Sequence, residues 1–367
     1  MSSGVAHGAD ASGPTADRLA GIDLARALAM IGMLMVHVGP LYGERWSEHL
    51  YALPHGRAAI LFMLVAGIGV TLLAAGRSAT PFTVTSRLLW RAALLLPLGL
   101  VLQDIDTGRL VILQTYAAMF VVAAGLVYLP DRWLLIVAGA SAVGGPIGFL
   151  LGRMHEPLVF NRTAILWEQT PGEIVHSLVL SGPYPLITWL TPFALGMWIG
   201  RQDLRADTMR VSLVVAGLSV ALGAVGIAAA LQTVFGEPGF EPGWAELRSI
   251  SAHSQMPLWL YGATGLAVAL VGFSLFLADL CGRVLWPLVA TGQVALSFYV
   301  AHLLALTEWP GAMQSEAPAE ALWISLSFTV VAAALAVAWR SVLPHGPLEM
   351  LLQPPWLAAR RWVSARR

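Results

Sequence analysis

Lysine is absent from this sequence: all 21 basic residues are arginine. Schiff-base chemistry on a lysine amine is therefore excluded. Cysteine is nearly absent too, and the single Cys281 rules out an internal disulfide and any multi-cysteine metal or cluster site. Charge is scarce, at 11% of residues against about 25% in soluble domains. The 21 basic and 21 acidic residues cancel, which leaves no basic excess for nucleic acid to read. There is no glycine-rich phosphate loop and no HExxH motif, and His49 with His55 lacks the carboxylate pattern of a zinc site, so no metal is expected. Residues 1–17 are small and polar, without a basic-then-apolar leader, and read as a disordered cytoplasmic tail.

What the chain has in abundance is apolar surface: 57% of 367 residues, with a mean hydropathy of +0.72. Lipid offers the backbone no hydrogen-bond partner, so an all-α polytopic membrane protein is expected. Stretches long enough to span fall at about 20–41, 57–76, 87–103, 108–129, 132–152, 183–200, 210–235, 257–280, 285–307 and 319–340, which makes about ten transmembrane helices. No fixed-period repeat is evident, so the inverted-repeat signature of many transporters is not visible. Fourteen arginines fall on the side shared by the termini and the even-numbered loops. Six fall on the other, leaving out Arg26 inside the first span. Both termini are therefore expected in the cytoplasm. A ten-helix transmembrane domain over 18–345 precedes a basic amphipathic tail over 346–367, which reads as an anchor against anionic lipid.

The first span holds a polar stripe. On a helix His37 lies about 20° around from Arg26 and about 40° from Asp23, and roughly 16 Å of axial rise separates Arg26 from His37. Ionisable groups inside a membrane helix are costly and point to function. The plainer alternative is an interfacial i,i+3 pair, Asp23 with Arg26, and a His37 near the outer headgroups.

Arg18-Leu-Ala-Gly-Ile-Asp23-Leu-Ala-Arg26, followed eleven residues later by a polar ring, resembles the opening of two groups of transmembrane acyltransferases. One is the heparan-α-glucosaminide N-acetyltransferase family with its bacterial relatives; the other is the acyltransferase-3 family of O-acyltransferases. Further matches to the first group run from Pro54-His55-Gly56-Arg57 through Ser181-Gly182-Pro183-Tyr184-Pro185, His253-Ser254 and Gly292-Gln293…Ser297…Tyr299…His302 to Gly346-Pro347-Leu348-Glu349. Two departures stand out. Human-type enzymes carry asparagine at the position of His37, and their catalytic histidine lies in a luminal loop whose sequence context is missing here. His49 and His55 are both candidates for that loop histidine.

The resemblance implies a multi-pass protein of a bacterial cytoplasmic (inner) membrane. It would move an acetyl (acyl) group from cytoplasmic acetyl-CoA to an extracytoplasmic or lipid-linked sugar amine or hydroxyl. Its partners would be the lipid bilayer, acyl-CoA and a glycan acceptor, and a homodimer is one arrangement open to it. A neutral imidazole can accept the acceptor's proton or attack the thioester itself. His37, His55, His49 and His302, with Asp23, are the candidate catalytic residues, and His253 and Tyr184 follow by resemblance alone. Arg26, Arg57, Arg87, Arg91 and Arg201 are the candidate grips for the donor's phosphates, joined by Arg205 and Arg210 at inner helix ends. For Arg87, Arg91, Arg201, Arg205 and Arg210 the plainer reading is a positive-inside anchor, and His155, His176 and His345 carry no role. A different class remains open: a transporter or flippase using the Asp23, Arg26 and His37 stripe as a proton or substrate path.

Overall fold

The structure, a computed structural model, describes residues 18–76, 79–105, 108–239 and 241–357. The tail over 1–17 and the last ten residues of the basic tail lie outside the described residues. Among the described residues there is no strand. Among the described residues, ten helices of fourteen or more residues overlap the apolar stretches: α1 (Ala20–Val38), α2 (Arg57–Ala74), α3 (Pro81–Asp104), α4 (Leu113–Leu126), α5 (Asp131–His155), α6 (Leu186–Ile199), α7 (Asp207–Phe235), α8 (Pro257–Gln293), α9 (Ala295–Glu308) and α10 (Pro318–Val342). Seven of them, α1, α2, α3, α5, α7, α8 and α10, are long and apolar enough to cross a bilayer. An eighth candidate is a broken one: Pro171–Ser181 meets α6 at a 62° bend. The interruption is Gly182-Pro183-Tyr184-Pro185, where two prolines remove backbone donors. At 14 residues each, α4 and α9 reach about 21 Å, short of the roughly 30 Å hydrocarbon core.

Boundaries shift for local reasons. The third span starts at Pro81 rather than 87 because the Thr80 side chain accepts from the Thr83 N–H and proline occupies the first helical turn. The eighth and ninth stretches are divided differently from expectation. Helix α8 runs on to Gln293 through a kink at Cys281, whose φ of −122° and ψ of 23° are non-helical, and the chain then breaks at Val294 before α9 restarts.

Helix α1 is the hub: 72% of its apolar window is buried, against 22% for α7, which leaves most of α7 facing outward. Small residues allow this. Ala25, Ala27 and Ala29 are wholly buried, and a Cβ on Gly292 of α8 would collide with the backbone carbonyl of Asp23. Close backbone approach of this kind is how membrane helices associate where lipid removes the hydrophobic drive. The polar start of α1 is thus pressed against the end of α8, where the helix breaks.

Candidate active site

Asp23, 3% exposed, is the centre of an ion cluster. It accepts from Arg18 Nε at 2.6 Å and Nη2 at 3.0 Å, from Arg26 Nη1 at 2.7 Å, and from Gln293 Nε2 at 3.2 Å. Arg26 also donates to the Gly292 carbonyl at 3.3 Å, and Arg340 holds Gln293 from α10 at 2.7 Å. The Asp23 carboxylate accepts from four donors, and these contacts fasten α1 to the α8–α9 break. Beside this cluster opens a cavity of about 770 Å³, walled by Arg18, Asp23, Arg26, Arg91, Tyr116 and Tyr299 among others. The segment after α10 closes part of its rim, through His345 and Glu349. Glu349 is itself held by the first turn of α9, where it accepts from the Leu296 N–H at 2.7 Å and the Ser297 hydroxyl at 2.7 Å.

Three turns along α1, His37 meets His302. Their rings stack with centroids 5.2 Å apart, and His37 Nδ1 lies 3.0 Å from His302 Nε2. The tautomers follow from the partners. His302 Nδ1 faces the Phe298 carbonyl at 3.3 Å, and a carbonyl only accepts, so Nδ1 carries the hydrogen. Neutral His302 then offers a lone pair at Nε2, His37 Nδ1 donates to it, and His37 Nε2 is left with a lone pair. That is the form a general base needs, with its ring oriented by a third group. Arg109 Nη2 fixes the adjacent backbone by donating to the His37 carbonyl at 2.6 Å.

A small pocket of about 30 Å³ lies against His37, lined also by Gly56, Ile112, Tyr184, His253 and Tyr299. Behind it His253 packs among Tyr184, Trp189 and Trp259 and faces His55 at 5.5 Å. The loop carrying His253 is strained: His253 and Gln255 have φ of 57° and 66°. It persists because Gln255 is clamped by Thr188, Trp189 and the Pro183 carbonyl, and because Arg162, itself at φ 61°, donates to the His253 carbonyl at 2.6 Å. Strain held this way gathers at functional sites.

Burial, then the charges of His55 and Arg162, push the His253 imidazole down to about 3 from an ordinary 6.5. Burial, then Arg57 and Arg162, lowers His55 as well. Below about pH 6.5 an unfolded chain binds a proton at His253 that the folded protein refuses, so stability falls as pH drops from 6.5 towards 3. Thermal melts across that window are expected to decline with falling pH, and His253→Gln is expected to flatten the decline.

The other sequence-derived residues sit elsewhere. His49 is exposed on the short helix Trp46–Tyr51, outside the pocket lining, whereas Tyr51 of the same helix is buried and donates to the Met35 carbonyl at 2.9 Å. Arg57 donates to Leu53 at the start of α2. Arg87, one turn before Arg91 on α3, does not line the large cavity. Arg205 is exposed, and Arg210 pairs with Asp279 at 2.6 Å. Arg201 spends its guanidinium on the Val127 and Leu129 carbonyls and on Asp131, at 2.7 to 2.9 Å. Arg201→Ala is therefore expected to lower the melting temperature by loosening the α4–α5 corner, checked by a thermal melt. His155 is exposed and His176 bonds Ser181 at 3.0 Å. Among the described residues, no three His, Cys, Asp or Glu side chains converge as a metal site needs. Residues that sequence reasoning did not single out include Arg109, Gln255 and Gln293. Of these, only Gln293 carried a signal, in its place beside Gly292 ahead of Tyr299 and His302.

The family profile described as heparan-alpha-glucosaminide N-acetyltransferase, catalytic, matches residues 18–226. The match opens on Arg18, the first member of the ion cluster, and runs into α7. No curated protein matches the chain. With more than half its length matched and the Arg18–Asp23–Arg26 cluster at the start, the chain belongs to the heparan-α-glucosaminide N-acetyltransferase family of transmembrane acetyltransferases.

Proposed function

We propose that the protein transfers an acetyl group from acetyl-CoA, held in the arginine-lined cavity, to a sugar amine or hydroxyl presented in the His37 pocket. The cavity would open to the cytoplasm and the pocket to the outside of a bacterial inner membrane, as the arginine bias of the loops suggests. The carrying observation is that the two chambers share a wall, so donor and acceptor can meet inside the bundle. A volume of about 770 Å³ suits a cofactor-sized ligand, since such sites run to about 300–1,000 Å³. The residues present fit a phosphate-bearing donor. Arg91 projects into the cavity over the Phe120 ring, and its Nε is buried without a hydrogen-bond partner. With Arg18 and Arg26 it would grip phosphate oxygens.

Acetyl-CoA supplies the activated thioester. His37 Nε2 takes the acceptor's proton as the acceptor's lone pair attacks the carbonyl carbon. The new C–N or C–O bond forms, the C–S bond breaks, and His37 returns the proton to the leaving sulfur. His302 keeps His37 in the tautomer that can do this.

The test is CoA release from acetyl-CoA by purified protein, with glucosamine as acceptor. Millimolar acetyl-CoA is expected to raise the melting temperature, because a ligand of the native state stabilises it. Arg91→Ala is expected to weaken that binding by about 1.5–3 kcal/mol, the scale of a charge-assisted hydrogen bond. The absence of both a melting shift and CoA release would overturn the assignment, and unreacted glucosamine crossing the membrane would favour a transporter.

A further inference from the structure

Among the described residues, Tyr299 is the one side chain that lines both the large cavity and the small histidine pocket. It is 1% exposed and sits one helical turn before His302, ring centroids 5.2 Å apart. Its hydroxyl oxygen accepts the Ile112 N–H at 3.2 Å. A tyrosine hydroxyl has one hydrogen to give as well as lone pairs to receive. No group in the described residues takes that hydrogen, although the side chain is buried. Accepting from Ile112 also polarises the hydroxyl and makes it a better donor. An idle, polarised, buried donor thus stands on the boundary that the acetyl group must cross to reach His37.

Resting on the acetyl-transfer reading above, we propose that Tyr299 is a catalytic residue, whose O–H donates to the thioester carbonyl oxygen. As the acceptor's lone pair adds to the carbonyl carbon, the C=O π electrons move onto oxygen, and the Tyr299 hydrogen bond stabilises that negative charge without transferring its proton. When the C=O double bond re-forms, the C–S bond breaks and the sulfur leaves with the proton carried by His37. The donor is fixed before the charge develops, which is what makes such a contact effective in a dry site. A bare wall would need only the ring; an oxyanion donor needs the oxygen.

Tyr299→Phe separates these, since it removes one oxygen and keeps the ring. Steady-state kinetics of the full chain with acetyl-CoA and glucosamine are expected to show kcat reduced about 10²–10³-fold, the usual loss for one oxyanion donor. KM for acetyl-CoA and the melting shift it induces are expected to stay within twofold of wild type. A Tyr299→Phe protein with wild-type kcat, beside an active wild type, would overturn the proposal and leave the acetyl-transfer reading standing. So would a parallel loss of kcat and of the melting shift, because that pattern belongs to donor binding. A wild type that releases no CoA at all would overturn both.

Discussion

His37→Asn is expected to lower kcat by about 10²–10⁴-fold while leaving acetyl-CoA binding intact. The range is that of a positioned general base. Asparagine keeps polarity and similar bulk, and its amide can still donate to His302 Nε2, so the packing of the α1–α9 contact survives. What disappears is the lone pair at Nε2, the only basic site that the tautomer chain from the Phe298 carbonyl leaves facing the pocket. The melting shift with acetyl-CoA reports the other chamber and should not move. His55→Asn is expected to cost less, since His55 stands behind His253 rather than in the pocket wall. His49→Asn is expected to be silent. A His37→Asn protein with wild-type turnover beside a dead His55→Asn protein would hand the base role to the loop.

Asp23→Asn is expected to be the most destabilising single change in the cavity wall, at about 3 kcal/mol, the lower end for removing one partner of a buried ion pair. Arg18 and Arg26 both converge on this carboxylate. An amide would leave two guanidinium groups facing one another across neutral atoms and present an N–H towards one of them. The loss spreads to Gln293 and through it to Arg340, so α1, α8 and α10 all lose a tie. Arg18 remains half exposed, which keeps the figure below that for a fully dry pair. A melt in detergent checks it, and an unchanged melting temperature would show that the cluster contributes no net stability.

The sequence made the stripe legible because it is local: Asp23, Arg26 and His37 lie on one helix, and a period of 3.6 places them without knowing any neighbour. His302 could be matched with His37 only through resemblance and topology. Arg201 shows where local reading stops. An arginine at a helix end looks the same whether it awaits a phosphate or caps carbonyls, and its partners Val127, Leu129 and Asp131 lie some 70 residues away. His49 and His55 are six residues apart and equally polar, yet one ends exposed and the other faces His253, a separation set by how the Trp46–Tyr51 helix turns Tyr51 inward. The break at Val294 was hidden for another reason. Apolar composition does not distinguish a continuous helix from an interrupted one, and the interruption is shaped by α1 pressing on Gly292. Tyr299 was visible in a motif, but its position between two chambers exists only once those chambers do.

The pairing of His37 with His302 closes a separation of 265 residues, and this bears on how the protein is made. Helix α1 leaves the ribosome long before α9 and waits in the membrane until α9 arrives. Its charged end is provided for, because Arg18 and Arg26 neutralise Asp23 within a few residues. Its imidazole has no such local partner. The newborn helix is therefore self-sufficient where it would be most costly to leave charge bare, and unfinished at His37, the proposed base. On the proposed mechanism the base acquires its orientation only once α9 has been inserted, so protein built short of α9 would be inert towards thioesters.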